Sequence, residues 1–210
     1  MHIPDGFLDP LVCGATYAFI IPYTLYAFSK AKEIPREKRS LIPVLAAAVF
    51  AAQMLNWPIP GGTSLHFVGG ALSGILLGPW GGYLVMFLVL LVQCLVFHDG
   101  GITTLGANLL NMAVIDVLVG YAVYKAAPPR HKTLAAFLGA WLGITLAGIA
   151  AGIELGVSAY TPYGLQITLP VMGGWHAALG VVEGAITALA YRYLEYRAPY
   201  LLGAQQARLG

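Results

Sequence analysis

The chain begins with Met-His, and these two residues carry three nitrogen atoms that can bind one metal ion. The Met1 amine, the deprotonated amide of His2 and the His2 imidazole would close two fused chelate rings in one plane. A nitrogen from elsewhere would complete a square, and tetragonal nitrogen sites suit Ni(II) and Cu(II). His66 is the natural fourth donor, so the predicted ligands are Met1, His2 and His66. Because initiator trimming normally needs a small second residue, we expect Met1 to be retained.

Further polar residues are candidates for supporting roles around such a site. A metal-bound histidine usually donates its other N–H to a polar group, which fixes the ring. The candidates for that role, or for an accessory ligand, are Thr63, Ser64, His98, Asp99, Asn108 and Asn111. His98 could equally be an interfacial residue at a helix end. For the carboxylates within apolar helices, a buried structural network and a role in metal release both stay open; these are Asp116, Glu154 and Glu183.

These donors belong to a chain with the composition of a membrane protein. Of its 210 residues, 59% are hydrophobic and 10% are charged, whereas a soluble domain carries about a quarter charged residues. No charged residue lies between Arg39 and Asp99, and a spanning helix needs about 20 apolar residues. The 26 glycines and the lack of apolar/polar alternation argue against a barrel. The predicted fold is all-α, a polytopic transmembrane bundle forming one domain over residues 1–210.

Seven helices are predicted, at about 9–29, 40–56, 66–78, 80–97, 106–126, 133–157 and 172–195. A single helix over 66–97 would be about 48 Å long, beyond the ~30 Å hydrocarbon core, and the glycines and proline at 78–82 favour a break. With seven helices, all eleven Lys and Arg residues fall on one side. The positive-inside rule then predicts an external N-terminus and a cytoplasmic C-terminus. Segment 1–8 and loops 57–67 and 98–105 would form the outer face.

Four motifs, in order, resemble those of one known family. They are the start MHIPDGFLDP, PGGTSLH at 60–66, DGGITTLGANLLNM at 99–112 and WHAALGVVE at 175–183. They are similar to the N-terminus and to the PGGTSxH, DGGLTxLGAN…NM and WHxxxGxxE motifs of the CbiM/NikM family, the substrate-binding (S) subunits of energy-coupling-factor importers for cobalt and nickel. The resemblance implies seven helices and an N-terminal segment tucked in from outside. It also implies a roughly planar site formed by Met1, His2 and His66.

The resemblance implies partners as well. These are a transmembrane coupling (T) subunit, a pair of ATPase subunits and a small accessory membrane subunit, within a prokaryotic inner membrane. In such S subunits an alanine stripe docks on the coupling subunit. The corresponding residues here, spaced for close helix packing, are Ala47, Ala48, Ala51 and Ala52; packing within the bundle is the alternative. No GxxxxGK[ST] motif is present, so we expect a non-enzymatic subunit whose partners hydrolyse ATP.

The ion itself is the expected cargo, and we expect neither a cofactor nor a nucleic-acid partner. Planar nitrogen ligation and the order of divalent-metal affinities favour Ni(II) over Co(II). Cobalt uptake for cobalamin synthesis is the alternative. The polar, histidine-bearing outer loops disfavour a vitamin-binding S subunit. An intramembrane protease is disfavoured because HExxH is absent and Ser73 is out of step with a GxSG motif. The lack of an acidic ring disfavours a channel acting alone.

Overall fold

The computed structural model describes residues 1–59 and 63–202, with the side chains of 58, 59 and 63–65 outside that description. In chain order its helices and strands are α1 (Pro10–Lys30), α2 (Arg36–Arg39), α3 (Leu41–Gln53), β1 (Trp57–Ile59), β2 (Thr63–Leu65), α4 (Gly70–Val92), α5 (Leu105–Asn108), α6 (Asp116–Ala126), α7 (Lys132–Val157) and α8 (Leu165–Arg197). Two π-helical segments extend this pattern: Gln93–Phe97 continues α4, and Leu109–Ile115 joins α5 to α6. Short 3₁₀ turns lie at Ala31–Glu33, Pro129–His131 and Pro199–Leu202.

Helix α4 reverses direction at Gly78. This residue has a non-helical backbone with φ 75° and ψ 177°, and Pro79 follows it. A Cβ on Gly82 would lie 2.7 Å from the backbone nitrogen of Gly74, whereas eight residues of straight helix separate such atoms by about 12 Å. The two halves of α4 therefore fold back on each other, as the sequence predicted for this stretch.

Five helical segments are long and apolar enough to cross a membrane within the described residues. They are Pro10–Glu33, Gly70–Phe97, Leu105–Ala126, Pro129–Val157 and Leu165–Arg197. Helix α3 has only 13 residues, or about 20 Å, and is shorter than a typical span. The predicted all-helical, multi-span architecture is confirmed.

Small residues bring the helices into close contact. A Cβ on Gly139 of α7 would lie 2.9 Å from the Gly120 carbonyl oxygen of α6, and one on Gly180 of α8 would lie 2.7 Å from the Trp141 ring of α7. Packing through small residues is the usual means of helix association in lipid, where burial of apolar surface gives no driving force between helices. The abundant glycines of the sequence thus serve the helix interfaces.

Two local differences from the sequence predictions stand out. The predicted loop 57–67 was expected to lack secondary structure, but within it β1 and β2 pair antiparallel, with Trp57 opposite Leu65. Pairing satisfies backbone groups that an open loop would leave to solvent. Helix α8 begins at Leu165 rather than near 172, because Pro170 in its second turn removes a single backbone donor and is tolerated inside the helix.

Candidate metal site

The main chain of Ile3 holds the N-terminal segment inside the bundle. The Ile3 N–H donates to Asn108 Oδ1 at 2.8 Å, and Asn108 Nδ2 donates back to the Ile3 carbonyl at 3.1 Å. The same carbonyl accepts from the Gly101 N–H at 3.0 Å and from the Thr104 hydroxyl. A buried asparagine can satisfy both backbone groups of one residue because its amide carries a donor and an acceptor. Met1 and His2 therefore enter the bundle in one fixed orientation.

Two aspartates hold the rest of the N-terminal segment in place through hydrogen bonds. Asp5 accepts from the backbone N–H groups of Ile102 and Thr103 at 3.1 and 2.7 Å. Asp9 caps the start of α1, a common role for this residue type, and its second oxygen accepts from Ala159 N–H at 2.8 Å. A Cβ on Gly101 would lie 2.2 Å from Asp5 Oδ1, so this loop position has no room for a side chain.

The predicted donors meet at the inner end of this segment. The Met1 amine lies 3.3 Å from His66 Nε2. The His2 and His66 rings stack with centroids 4.7 Å apart and an interplanar angle of 21°. Met1 is 3% exposed and His66 1% exposed, and the His2 side chain is 4% exposed. The structure thus brings together the three residues predicted as ligands.

Hydrogen bonds fix which ring nitrogens carry lone pairs. The His66 Nδ1 lies 2.8 Å from the Phe67 carbonyl, which can only accept, so Nδ1 carries the proton and Nε2 faces the Met1 amine as a lone pair. The His2 Nε2 lies 3.0 Å from Gln93 Oε1, and its buried Nδ1 has no hydrogen-bond partner in the described chain. Nδ1 is the nitrogen that closes a six-membered chelate ring with the His2 amide. Each imidazole therefore presents an unprotonated ring nitrogen, the form in which histidine binds metal ions.

Burial favours the neutral, metal-binding forms of these groups. It lowers the pKa of the Met1 amine to about 5, against a smaller opposing effect of Asp99. The pKa of His2 falls to about 3, first through burial and then through the charge of the Met1 amine, with the Gln93 hydrogen bond opposing the change. Burial, followed by the charges of Met1 and His2, likewise holds the pKa of His66 well below its ordinary value. A metal ion need not displace protons from these three groups at neutral pH.

Asp99 supplies the nearest negative charge. Its Oδ1 lies 3.5 Å from His2 Nδ1, and its carboxylate raises the pKa of the Met1 amine relative to burial alone. Since His2 is neutral, the contact is not an ion pair, and the carboxylate faces the lone pair of His2. A cation placed between the two would satisfy both. Asp99 therefore lies beside the His2 nitrogen proposed to bind the ion, whereas the other ring nitrogen of His2 faces Gln93.

Of the other predicted supporting residues, some lie at the candidate site and others do not. Asn108 reaches the site, but it holds the main chain of Ile3 rather than a histidine ring. Asn111 lies elsewhere and donates to Glu154 at 2.7 Å. His98 is exposed, ends the π-helical extension of α4 and adopts a left-handed backbone with φ 55°, so the structure places it at a helix end and not among the donors. The predicted candidates Thr63 and Ser64 have side chains that lie outside the described residues.

Sequence reasoning missed Gln93. This fully buried residue accepts from the His2 ring and thereby sets its tautomer. The sequence did contain an indication of its role, because an uncharged polar side chain in the middle of an apolar run needs a hydrogen-bond partner inside the bundle. Its neighbour in space could not be read from the sequence, since 91 residues separate it from His2.

Two other predicted features have clear locations. On α3, Ala47, Ala48 and Ala51 are exposed and Ala52 is half-buried, so the stripe faces away from the bundle.

Ser73, the serine considered for a protease, is fully buried and donates to the Gly69 carbonyl at 2.7 Å. In the described chain no three His, Cys, Asp or Glu side chains cluster as a metal site. The candidate donors are instead two imidazoles and the backbone nitrogens of the N-terminus.

Several apolar membrane-length helices around a buried set of nitrogen donors define a multi-pass membrane protein with a candidate ion site. A family model described as "Cobalt uptake substrate-specific transmembrane region" matches residues 2–201. A protein from Archaeoglobus fulgidus, provisionally named fused nickel transport protein NikMN, is 55% identical over 99% of this chain and 70% of its own length. The cobalt transport protein CbiM of Acetoanaerobium sticklandii is 31% identical over 94% of this chain and 86% of its own.

Comparison with solved structures also points to a metal transporter. A crystal structure of a transition metal transporter superposes with a TM-score of 0.87 at 36% identity, covering 93% of each chain. The chain therefore belongs to the CbiM family of transmembrane metal-uptake proteins, and the resemblance predicted from its four motifs is confirmed. Its relatives and its apolar helices make it a multi-pass membrane protein of prokaryotes.

Proposed function

We propose that this chain is the S subunit of an energy-coupling-factor importer and captures Ni(II) at its external face. The observation that carries the proposal is the convergence of the Met1 amine and the His66 and His2 rings in a buried position. The ligands are the Met1 amine, the amide and Nδ1 of His2, and Nε2 of His66. The ion is cargo, so the chain needs only to bind and release it.

Nickel is proposed over cobalt because of the type and number of donors. Four nitrogens in a plane stabilise Ni(II) more than Co(II). Relatives named for nickel and for cobalt both match this chain, the former at 55% identity and the latter at 31%. Cobalt uptake remains the second candidate function, and a direct comparison of the two affinities separates them.

The proposed membrane arrangement has seven helices, an external N-terminus and a cytoplasmic C-terminus. The reversal of α4 at Gly78 supports it, since counting both halves of α4, α5 with α6, and α1, α3, α7 and α8 gives seven. Lys38 supports it as well, because its ammonium group donates to the Leu76 carbonyl near this reversal and so links it to the basic side of the chain. The segment 1–8 would then face the exterior.

The proposed partners are a transmembrane coupling subunit, two ATPases and a small accessory membrane subunit. The exposed alanines of α3, Ala47, Ala48 and Ala51, support a docking surface for the coupling subunit, because small residues permit close helix approach in lipid. ATP hydrolysis by the partners would supply the free energy for inward release of the ion.

Titration of Ni(II) and Co(II) into the purified protein tests the proposed ligands. We expect His2→Ala and His66→Ala each to weaken Ni(II) binding at least a hundredfold, because each removes one planar nitrogen. His98→Ala is the matched control, since it removes an exposed histidine of the same outer region, and its Ni(II) affinity should equal that of the wild type. Loss of binding in the control but not in His66→Ala would refute this ligand set.

A further inference from the structure

The four residues after β2, His66–Gly69, form a link between the candidate site and the start of α4. Helix α8 holds this link through Glu183, whose two carboxylate oxygens accept from the Val68 and Gly69 N–H groups at 2.8 Å each. Gln53 of α3 donates to the Val68 carbonyl at 2.6 Å. The backbone that carries His66 is thus fixed by side chains from two separate helices.

A carboxylate is suited to this position. Two adjacent N–H groups directly before a helix point the same way and have no intrahelical partner, and one carboxylate supplies an acceptor to each. Glu183 is 1% exposed and Val68 is fully buried, so water does not replace these bonds. A carboxamide in the same place could accept from only one of the two N–H groups and would direct its own NH₂ group at the other.

The shape of the link leaves little freedom for His66. Gly69 has φ +80°, and a Cβ there would lie 2.8 Å from the Phe67 ring and 3.0 Å from Val49. The Phe67 carbonyl in turn accepts from His66 Nδ1. A shift of Val68 or Gly69 would therefore move the carbonyl that sets the His66 tautomer and change where Nε2 points.

We propose that Glu183 is a positioning residue for metal capture, acting through His66. Each of its two oxygens accepts from a backbone N–H group of the His66–Gly69 link, and it acts by holding that link so that Nε2 of His66 faces the Met1 amine. This inference rests on the proposed role of His66 as a ligand. It also places a determinant of the outer site within α8, 115 residues away in sequence from Val68.

A double-mutant cycle tests the inference. Ni(II) affinity is measured for the wild type, Glu183→Gln, His66→Ala and the double variant, with the three remaining donors keeping binding measurable in the His66→Ala background. Removal of a group that orients a ligand typically costs 10–100-fold in metal affinity, so we expect Glu183→Gln to weaken binding about tenfold in the wild type and not at all in His66→Ala. The visible absorption of bound Ni(II) in Glu183→Gln should shift toward that of His66→Ala.

Glu154→Gln is the matched control. Glu154 is also a buried carboxylate within a spanning helix, but it pairs with Asn111 and does not contact the His66–Gly69 link. We expect its Ni(II) affinity to remain within twofold of the wild type. If Glu183→Gln fails to fold, Gln53→Met removes the other hydrogen bond to Val68, and a His66-dependent, several-fold loss of affinity is then expected.

The outcomes separate this inference from the proposed function. Unchanged affinity in Glu183→Gln, or in Gln53→Met where that variant is used, would overturn the positioning role while leaving His66 as a ligand. An equal loss from Glu183→Gln in both backgrounds would overturn it too, because the effect would not pass through His66. Unchanged affinity in His66→Ala would instead remove the proposed ligand set, and the role of Glu183 with it.

Discussion

At the scale of single residues, burial holds the proposed ligands neutral in the ion-free protein. A free amine has a pKa near 8, but burial brings that of Met1 to about 5 and that of His2 to about 3. At pH 7 the only proton left for the ion to displace is that of the His2 amide. In the folded chain these groups are therefore neutral at pH 7, whereas the amine of a short N-terminal peptide is mostly protonated there.

Proton release on binding tests this account. We expect one proton released per Ni(II) at pH 7, and about two for a peptide of residues 1–8, whose amine is mostly protonated there. Affinity for the protein should rise tenfold per pH unit above pH 5. Below pH 5 the amine takes up a proton, so the change in Ni(II) affinity should steepen toward a hundredfold per pH unit. Titration calorimetry in buffers of different ionisation enthalpy gives the count, and two protons at pH 7 would contradict the lowered amine pKa.

The three residues proposed as ligands could be picked out from the sequence, whereas their hydrogen-bonding partners could not. The chelating order of nitrogens in Met1 and His2 is a property of two adjacent residues, so it is visible in the chain. The role of Gln93, and the choice of Asn108 over Asn111 as the residue that meets the N-terminal segment, depend on which helix faces lie together. That information enters only with the packing of the bundle.

At the scale of elements, Asn108 on α5 holds the main chain of Ile3, the residue directly after Met1 and His2. Asn108→Leu leaves the buried N–H of Ile3 unpaired and weakens the hydrogen bonding of its carbonyl, at about 1–3 kcal/mol for an unpaired buried group. We expect Ni(II) affinity to fall at least tenfold. Asn111→Leu is the control, because it removes a partner of Glu154 and leaves Ile3 untouched. Equal losses in the two variants would show that the attachment of Ile3 is not what matters.

The reversal of α4 at Gly78 leads to a separate prediction about thermal stability. Gly82→Ala should lower the thermal unfolding midpoint clearly, since its methyl group would lie 2.7 Å from the Gly74 backbone and 2.8 Å from Val117, an overpacking that typically costs about 1–3 kcal/mol. Gly174→Ala in α8, whose added methyl group meets nothing within 4 Å, should leave the midpoint unchanged or raise it. A fluorescence-based melt in detergent measures both, and tolerance of Gly82→Ala would argue for one straight helix.

The positions of helices were also largely predictable, because apolar runs and glycine–proline breaks act locally. The break at Gly78 was expected from its sequence and occurs there. The pairing of β1 with β2 was not expected, because strands of three residues leave almost no periodic pattern. The early start of α8 was missed for another reason: in a bundle, neighbouring helices stabilise a turn that contains a proline.

At the scale of the whole molecule, the exposed face of α3 is the proposed surface for the coupling subunit. Replacing Ala47, Ala48 and Ala51 together by leucine should abolish co-purification with that subunit, because the added side chains prevent close approach. Ni(II) affinity should be unchanged, since these side chains face away from the bundle. Ala15→Leu, which makes one such replacement at an exposed position of α1, is the control. Retained co-purification of the triple variant would place the docking surface elsewhere.

The N-terminal amine and His2 are proposed to bind the ion together, and an experiment that moves the amine away from His2 tests this most directly. Two glutamines inserted between Met1 and His2 separate the donors. Two are needed because a histidine in third position can form a planar chelate of its own. Calorimetric titration of Ni(II) should show tight binding by the native protein and a loss of at least a hundredfold in the insertion variant, with similar thermal stability of the ion-free proteins. Equal affinity of the two proteins would contradict the chelate and leave the site to be sought at other residues.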